Sequence, residues 1–226
     1  MGRLSNLGLI FYRPSAVAAS VDQRPNWVIP VVAILILCFV AGYASYQYNV
    51  DYQKQVYREL HRDQAAGADV EGLFQVTPAK RAYGGVLGGL GMVFGVLVGA
   101  AILHGLALVV GGRSGFRKLF CLYAYAWIIP AVGAVVKLPL VFARQSIDVR
   151  SSLALLTPGI AFDSPVGVML NSVDLFYVWM LAATAIGYNV LTGLGIKKSA
   201  AIVVGLYLLF VAFSVGATLL RSKVVG

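Results

Sequence analysis

The scarcest feature of this sequence is charge. Of 226 residues, 12% are Asp, Glu, Lys or Arg, while 59% are hydrophobic. Soluble domains carry about 25% charged residues, and a single aqueous core in a chain of this length could not hide so much apolar surface. The shortage excludes a soluble globular domain and requires the lipid bilayer to act as part of the solvent.

Cysteine is also scarce, and the common catalytic motifs are absent. The two cysteines, Cys38 and Cys121, lie in or beside different apolar runs, where a buried thiol usually serves as a packing group. The sequence has no phosphate-cradling P-loop, no zinc-ligand spacing and no G-x-S-x-G elbow. We therefore expect no catalytic residue, no cofactor, no metal and no enzymatic activity.

Long charge-free runs take the place of these features. Five runs contain no Asp, Glu, Lys or Arg: residues 25–50, 82–112, 119–136, 175–196 and 199–220. A helix needs about 20 apolar residues to cross the hydrocarbon core, and the third run reaches that length if Lys137 extends its ammonium to the interface. The sequence therefore predicts an all-α integral membrane protein with five transmembrane helices. The predicted spans are residues 27–47, 83–110, 116–142, 173–192 and 199–220.

Residues 1–24 are predicted to form an amphipathic interfacial segment. Leu4, Leu7 and Phe11 recur at spacings of three and four, which places them on one face of a helix over residues 3–21. Arg3 and Arg13 supply charge for anionic headgroups. A partly ordered tail is the alternative.

The remainder, residues 25–226, is predicted to be a single membrane domain with two long loops. Loop 48–80 is polar and balanced in charge, and it is too short to build a core of its own. Loop 143–172 is mostly apolar, so we expect it to lie in the interface or to pack on the spans.

Glycines recur along the second span. They form a candidate helix-packing stripe: Gly84, Gly88, Gly91, Gly95 and Gly99. Small residues at such spacing let a second helix approach closely, because lipid supplies no hydrophobic drive for helix association. The partner helix is either another span of this chain, which we favour, or a span of another protein.

Ionisable groups lie only toward the ends of the spans. Lys137 of the third span and Asp174 of the fourth lie at comparable heights, so they form a candidate interhelical ion pair or extend separately to the interface. Pumps and secondary transporters usually place polar or titratable groups near the midplane. Their absence there disfavours such an activity.

Two short connections between spans are purely basic. Their residues form a candidate docking surface: Arg113, Arg117, Lys118, Lys197 and Lys198. A total count of Lys and Arg hardly separates the two faces of the membrane, but basic residues in short loops mark the cytoplasmic side. We therefore predict a cytoplasmic amino terminus and an external carboxyl terminus.

Short motifs in consistent order resemble the Yip1 family, specifically its bacterial branch. They comprise an F-x-x-P lead-in, a third span with alanine–tyrosine repeats and a proline, and a D-x-F-x-x-W opening of the fourth span. The residues that carry the resemblance are Phe11, Pro14, Tyr125, Pro130, Asp174, Phe176 and Trp179.

This resemblance implies five spans and a cytoplasmic amino terminus. Eukaryotic relatives work at Golgi and endoplasmic reticulum membranes with small GTPases, and some bacterial relatives accompany ABC-type exporters as accessory subunits. This chain lacks the long soluble amino-terminal region of the eukaryotic members, which argues against a GTPase partner. The family offers no catalytic residues to carry over.

Together these features predict a non-enzymatic accessory or scaffold protein of the bacterial inner membrane. Its expected partners are the lipid bilayer and another membrane protein such as an ABC-type exporter, with a homo-oligomer as a further option and no nucleic acid. The alternative is a small permease or lipid-handling protein that acts as an oligomer.

Overall fold

The computed structural model describes residues 4–60, 69–147, 152–157, 160 and 164–225, and within them the chain is helical. In chain order the α-helices of these residues are α1 (Asn6–Leu9), α2 (Pro14–Gln23), α3 (Val28–Leu60), α4 (Val70–Leu73), α5 (Pro78–Val109), α6 (Phe116–Val136), α7 (Leu138–Arg144), α8 (Pro165–Ser172), α9 (Leu175–Thr192) and α10 (Ile196–Val225). A short 3₁₀ helix covers Leu153–Leu156.

Five helical units are long and apolar enough to cross a membrane. They are α3, α5, α6 continued by α7, α9 and α10, and we call them the first to fifth spans. The predicted all-α fold with five transmembrane helices is thereby confirmed.

The span boundaries follow from capping residues. Thr77 caps the second span, since its hydroxyl accepts a hydrogen bond from the Lys80 amide at 3.2 Å, and Pro78 occupies the first turn, where no amide proton is needed. Asp174 caps the fourth span through the Phe176 amide at 2.8 Å. That span ends at Gly193, whose φ of 71° is left-handed and favours glycine.

The third span is the centre of the bundle. Its buried residues include Ile129, Tyr125 and Cys121, and it packs against the first, second and fourth spans as well as α2. The first, second and fifth spans instead keep large apolar side chains on the outside of the bundle, as expected where lipid surrounds them.

The single amphipathic interfacial helix predicted over residues 3–21 is not confirmed. Two short helices, α1 and α2, take its place, because Pro14 lacks an amide proton and begins a new helix instead of continuing the first. The fully buried residues are Ile10, Val17 and Val21, whereas Leu4 is 71% exposed. The apolar side of the segment therefore packs on the third and fourth spans. Arg3 lies outside the described residues.

The helix of the first span, α3, continues beyond the membrane into the polar loop, where its side chains contact α4 and the residue that follows it. The Glu71 carboxylate accepts hydrogen bonds from Lys54 at 2.6 Å and Arg58 at 3.1 Å, and the rings of Tyr57 and Phe74 meet edge to face at 5.7 Å. These contacts tie the described part of the loop, residues 69–77, to the helix that leaves the membrane.

Removing Lys54 is expected to raise the pKa of Glu71. The hydrogen bond and charge of Lys54, together with Arg58, hold the pKa of Glu71 below its ordinary value of 4.5. The pKa of Glu71 is lower in the folded protein than in the unfolded chain, so the contact stabilises this segment at neutral pH. This stabilisation is lost as the pH falls below about 4.5 and passes through the pKa of the folded state. In a ¹³C-carboxyl NMR titration, Lys54→Met should move the Glu71 midpoint up toward 4.5.

The matched control for this titration is Arg81→Met. Arg81 donates to Gln47 at 3.0 Å and makes no bond to Glu71, so its loss should leave the midpoint in place. An unchanged midpoint in Lys54→Met would contradict the assignment of the shift to Lys54.

Candidate docking site

The first and second spans approach each other closely through glycines. A Cβ added to Gly42 would lie 3.0 Å from the Gly85 Cα, and one added to Gly85 would lie 3.0 Å from the Phe39 carbonyl oxygen. One added to Gly89 would meet Leu35 at 3.2 Å. Gly85 and Gly89 are buried, so this contact works only because neither carries a side chain.

The glycines of the predicted stripe do not all face the same neighbour: two face tyrosine rings and three face open space. Gly84 faces the Tyr46 ring and Gly99 faces the Tyr123 ring, and a Cβ added to either glycine would clash with the ring at 2.6 Å. Gly88, Gly91 and Gly95 have no atom within 4 Å of such a Cβ. Sequence reasoning missed Gly85 and Gly89. The G-G-V-L-G-G motif contains two pairs of glycines four residues apart, and the pair Gly85 and Gly89 lies one position after the predicted pair Gly84 and Gly88.

Two of the open glycines, Gly91 and Gly95, border a lateral cleft of about 970 Å³. One wall is formed by the second span and includes Gly91, Gly95 and Gly99. The floor is formed by the third and fourth spans and includes Tyr123, Trp127, Tyr177 and Leu181. The opposite wall is formed by the fifth span and includes Leu206, Tyr207, Phe210 and Phe213. The second and fifth spans make few contacts with each other, which leaves the cleft between them. We call it the lateral cleft.

An aromatic row forms the floor of the lateral cleft. Tyr123 and Trp127 meet edge to face with ring centroids 6.0 Å apart, and Trp127 meets Tyr177 in the same way at 6.0 Å. Tyr177 stacks on Tyr207 of the fifth span, again at 6.0 Å. Such pairs add to the energy of burial, so three spans are joined by rings that fix the shape of the floor.

One end of the lateral cleft is polar but uncharged. The Tyr207 hydroxyl donates to the Ser172 carbonyl oxygen at 2.6 Å, and the Ser152 hydroxyl donates to the Asn171 side-chain oxygen at 2.9 Å. Among the residues that the structure describes, those that line the cleft include no Asp, Glu, Lys, Arg or His. The cleft therefore presents an apolar surface with hydrogen-bonding groups at one end.

Lys137 and Asp174 lie together at the junction of the third and fourth spans. The Lys137 Nζ is 2.8 Å from the Asp174 Oδ2, and the Asp174 side chain is only 4% exposed. The second carboxylate oxygen accepts from the Phe176 amide, and the Lys137 ammonium also lies 5.6 Å from the centroid of the Phe176 ring. The buried carboxylate thus has a counter-charge and a backbone donor.

The residues of the family-like motifs serve packing and capping. Phe11 meets the Trp179 ring edge to face at 5.7 Å, and the Trp179 indole donates to the Phe11 carbonyl oxygen at 3.0 Å. Tyr125 and Pro130 are buried in the third span. These contacts fasten the amino-terminal segment to the bundle and hold the third span at its centre.

The same structure positions the remaining motif residues. Pro14 begins α2, and Asp174 caps the fourth span. The Phe176 ring packs where a side chain at Gly133 would stand. All seven motif residues therefore stabilise the fold, and none of them lines the lateral cleft.

The two basic turns lie side by side. The Arg113 amide donates to the Thr192 carbonyl oxygen at 3.2 Å, which joins the turn after the second span to the end of the fourth. Arg117, Lys197 and Lys198 are exposed, as is Arg113, whereas Lys118 is half-buried. Lys118 binds Asp22 of α2 at 2.7 Å, so four of the five predicted docking residues keep open surface.

The described residues hold no group of three or more His, Cys, Asp and Glu side chains placed to bind a metal ion. What they do hold is five apolar spans, of which the third is the most buried, with charge confined to the ends. This arrangement defines a multi-pass helical membrane protein.

The chain belongs to the Yip1 family, because the family model of the Yip1 domain matches residues 7–218. Proteins of this family are generally membrane-associated, non-enzymatic factors. Comparison with curated proteins and with solved structures gave no match. Placement in the bacterial branch stays a prediction.

Proposed function

We propose that this protein is a non-enzymatic accessory or scaffold subunit of the bacterial inner membrane that binds a transmembrane helix of another membrane protein, such as an ABC-type exporter, in the lateral cleft. The observation that supports this proposal is the cleft itself. One wall is a helix face with glycines, and the opposite wall carries exposed Phe210 and Phe213.

The dimensions of the lateral cleft suit a helix. A helix about 10 Å across occupies roughly 80 Å³ per Å of length, so a cleft of about 970 Å³ accepts about two turns. Gly91 and Gly95 are four residues apart and therefore lie on one face, and neither has a neighbour within 4 Å of an added Cβ. A partner backbone can approach this face closely, which is how helices associate in lipid.

The basic turns at one end of the spans would supply a second contact. With the amino terminus in the cytoplasm, Arg113, Lys197 and Lys198 face the cytosol and attract acidic loops of a partner. Charge complementarity of this kind speeds encounter and selects among partners more than it adds affinity. The cleft would then provide the affinity and the turns the selectivity.

Site-specific photocrosslinking in cells tests the proposal. Phe213 lines the cleft and is 77% exposed, so p-benzoylphenylalanine at this position should yield one discrete adduct with a second membrane protein. Gly95→Leu fills the cleft with a side chain and should reduce the adduct at least fivefold. The adduct is identified by mass spectrometry.

Two matched controls sharpen this experiment. Leu108 lies on the second span outside the cleft and is 59% exposed, so the photoprobe at this position should yield no such adduct. Gly105→Leu makes the same substitution on the same helix where an added Cβ meets nothing within 4 Å, and it should leave the adduct intact. Adducts only with a second copy of this chain would overturn the proposal.

A lipid-handling or permease role is the second candidate, and the polar end of the lateral cleft favours it. Ser172, Asn171 and the Tyr207 hydroxyl lie there beside an apolar surface, an arrangement that suits a lipid with its headgroup at that end. Reconstitution into liposomes measures this role directly. Lipid scrambling or solute flux that Gly95→Leu abolishes would support it over the scaffold.

A further inference from the structure

A second cavity, of about 270 Å³, lies at the start of the first span, away from the lateral cleft. Its lining includes two arginines from different elements, Arg24 after α2 and Arg117 in the first turn of the third span. The residues that complete the lining are Pro25, Asn26, Trp27 and Val28. We call it the arginine pocket, and two guanidinium groups that share a small cavity favour an anion between them.

The nearby acidic side chain does not neutralise this pocket. Asp22 is bound by Lys118 at 2.7 Å. Within the described residues, the salt bridges include neither Arg24 nor Arg117. Both guanidinium groups therefore keep their donors for a ligand, and the planar fork of arginine matches two oxygens of a phosphate.

The arginine pocket lies at the height of the lipid headgroups. Trp27, which lines it, is 41% exposed and packs against Phe120 with ring centroids 6.1 Å apart. Tryptophan concentrates at the membrane–water interface because its ring is apolar and its indole N–H is polar. The apolar first span begins one residue later, at Val28.

An apolar ridge runs from the arginine pocket into the hydrocarbon. Val28, Val32, Ile36 and Val40 recur every four residues on one face of the first span and are 49%, 47%, 58% and 44% exposed. At about 1.5 Å per residue the ridge is about 18 Å long, close to the roughly 15 Å depth of one leaflet. An acyl chain below a headgroup in the pocket would lie along it.

We propose that the arginine pocket binds the phosphate of an anionic glycerophospholipid, whose acyl chain lies along the ridge of the first span. Arg24 and Arg117 bind the phosphate oxygens, and Trp27 and Val28 contact the glycerol region. Because the pocket draws on α2 and on the first and third spans, the bound lipid fastens the amino-terminal segment to the bundle. The site is separate from the proposed docking cleft and does not depend on it.

Native mass spectrometry of the purified full-length chain in detergent tests this site. With phosphatidylglycerol added, the wild type should retain one lipid, and the double variant Arg24→Gln/Arg117→Gln should bind it about tenfold more weakly, since two charge-assisted contacts are lost. Phosphatidylcholine should bind far more weakly than phosphatidylglycerol, and inorganic phosphate at millimolar concentration should not displace the lipid.

Two further variants separate a built site from general surface charge. Lys197→Gln/Lys198→Gln removes the same charge from the same side of the protein outside the pocket and should bind phosphatidylglycerol within twofold of the wild type. Arg24→Lys/Arg117→Lys keeps the charge without the planar fork and should fall between the wild type and the glutamine variant. The melting temperature of each variant without added lipid verifies that it is folded.

Three results would overturn the proposal. They are undiminished binding in the folded glutamine variant, an equal loss in the Lys197/Lys198 control, and displacement of the lipid by free phosphate. The last would show that the pocket takes a free anion instead of a lipid.

Discussion

Replacing Lys137 by methionine should destabilise the protein by roughly 3–5 kcal/mol, the range observed when one partner of a buried ion pair is removed. Asp174 is 4% exposed, and its counter-charge lies 2.8 Å away. Lys137→Met keeps most of the volume but removes the cation that lies 2.8 Å from the buried carboxylate. The unfolding free energy, measured by titrating SDS into mixed micelles, should fall accordingly.

The double variant Lys137→Met/Asp174→Asn provides the control. Asparagine keeps the side-chain oxygen that accepts from the Phe176 amide and removes the charge, so most of the lost stability should return. Asp174→Asn alone should cost less than Lys137→Met, because the Lys137 side chain is 26% exposed and can extend its ammonium toward water. A double variant no more stable than Lys137→Met would contradict the ion-pair explanation.

Replacing Gly85 by leucine should separate the first two spans and cost about 2 kcal/mol, within the range for overpacked cores. Even a methyl group at Gly85 would stand 3.0 Å from both the ring and the carbonyl oxygen of Phe39. The oxygen belongs to the backbone, so relief requires movement of a whole helix. The same micelle titration measures the loss.

Gly88→Leu is the matched control for Gly85→Leu. Gly88 lies on the same helix, is exposed, and has nothing within 4 Å of an added Cβ. Its replacement should change the unfolding free energy by less than about 0.5 kcal/mol, as at other surface positions. Equal losses at Gly85 and Gly88 would show that leucine harms this helix for a reason other than packing.

Both predictions bear on the proposed function. The Lys137–Asp174 pair joins the third and fourth spans, which together carry most of the aromatic floor of the lateral cleft. The contact of Gly85 with the first span fixes the second span, whose glycines form one wall. A cleft that binds a helix needs walls that stay in place, because ordering them on binding would lower the affinity.

Prediction from sequence was strongest for the spans. The hydrocarbon core has one thickness, and charge is costly inside it, so five charge-free runs of 18 to 31 residues were sufficient to predict five helices.

Prediction was weakest where the structure of a segment depends on the surface of another helix of this chain. The periodicity of Leu4, Leu7 and Phe11 indicated an interfacial helix, but in the structure Ile10 and Val17 are buried against the third and fourth spans. The glycine pattern of the second span contained two overlapping stripes. The packing of the first span, which places Phe39 and Gly42 against Gly85 and Leu35 against Gly89, selects these two glycines for the close approach.

Five crossings of the membrane follow from the amino-acid sequence alone, because the length and apolarity of a run decide whether it is stable in lipid without reference to any other segment. Three features depend instead on helix packing: the second and fifth spans part to leave the lateral cleft, the aromatic rings align along its floor, and Arg24 and Arg117 share one pocket. These features join residues as far apart in the chain as Gly91 and Ser214. Their geometry is set by how whole helices pack, which no local pattern of residues specifies.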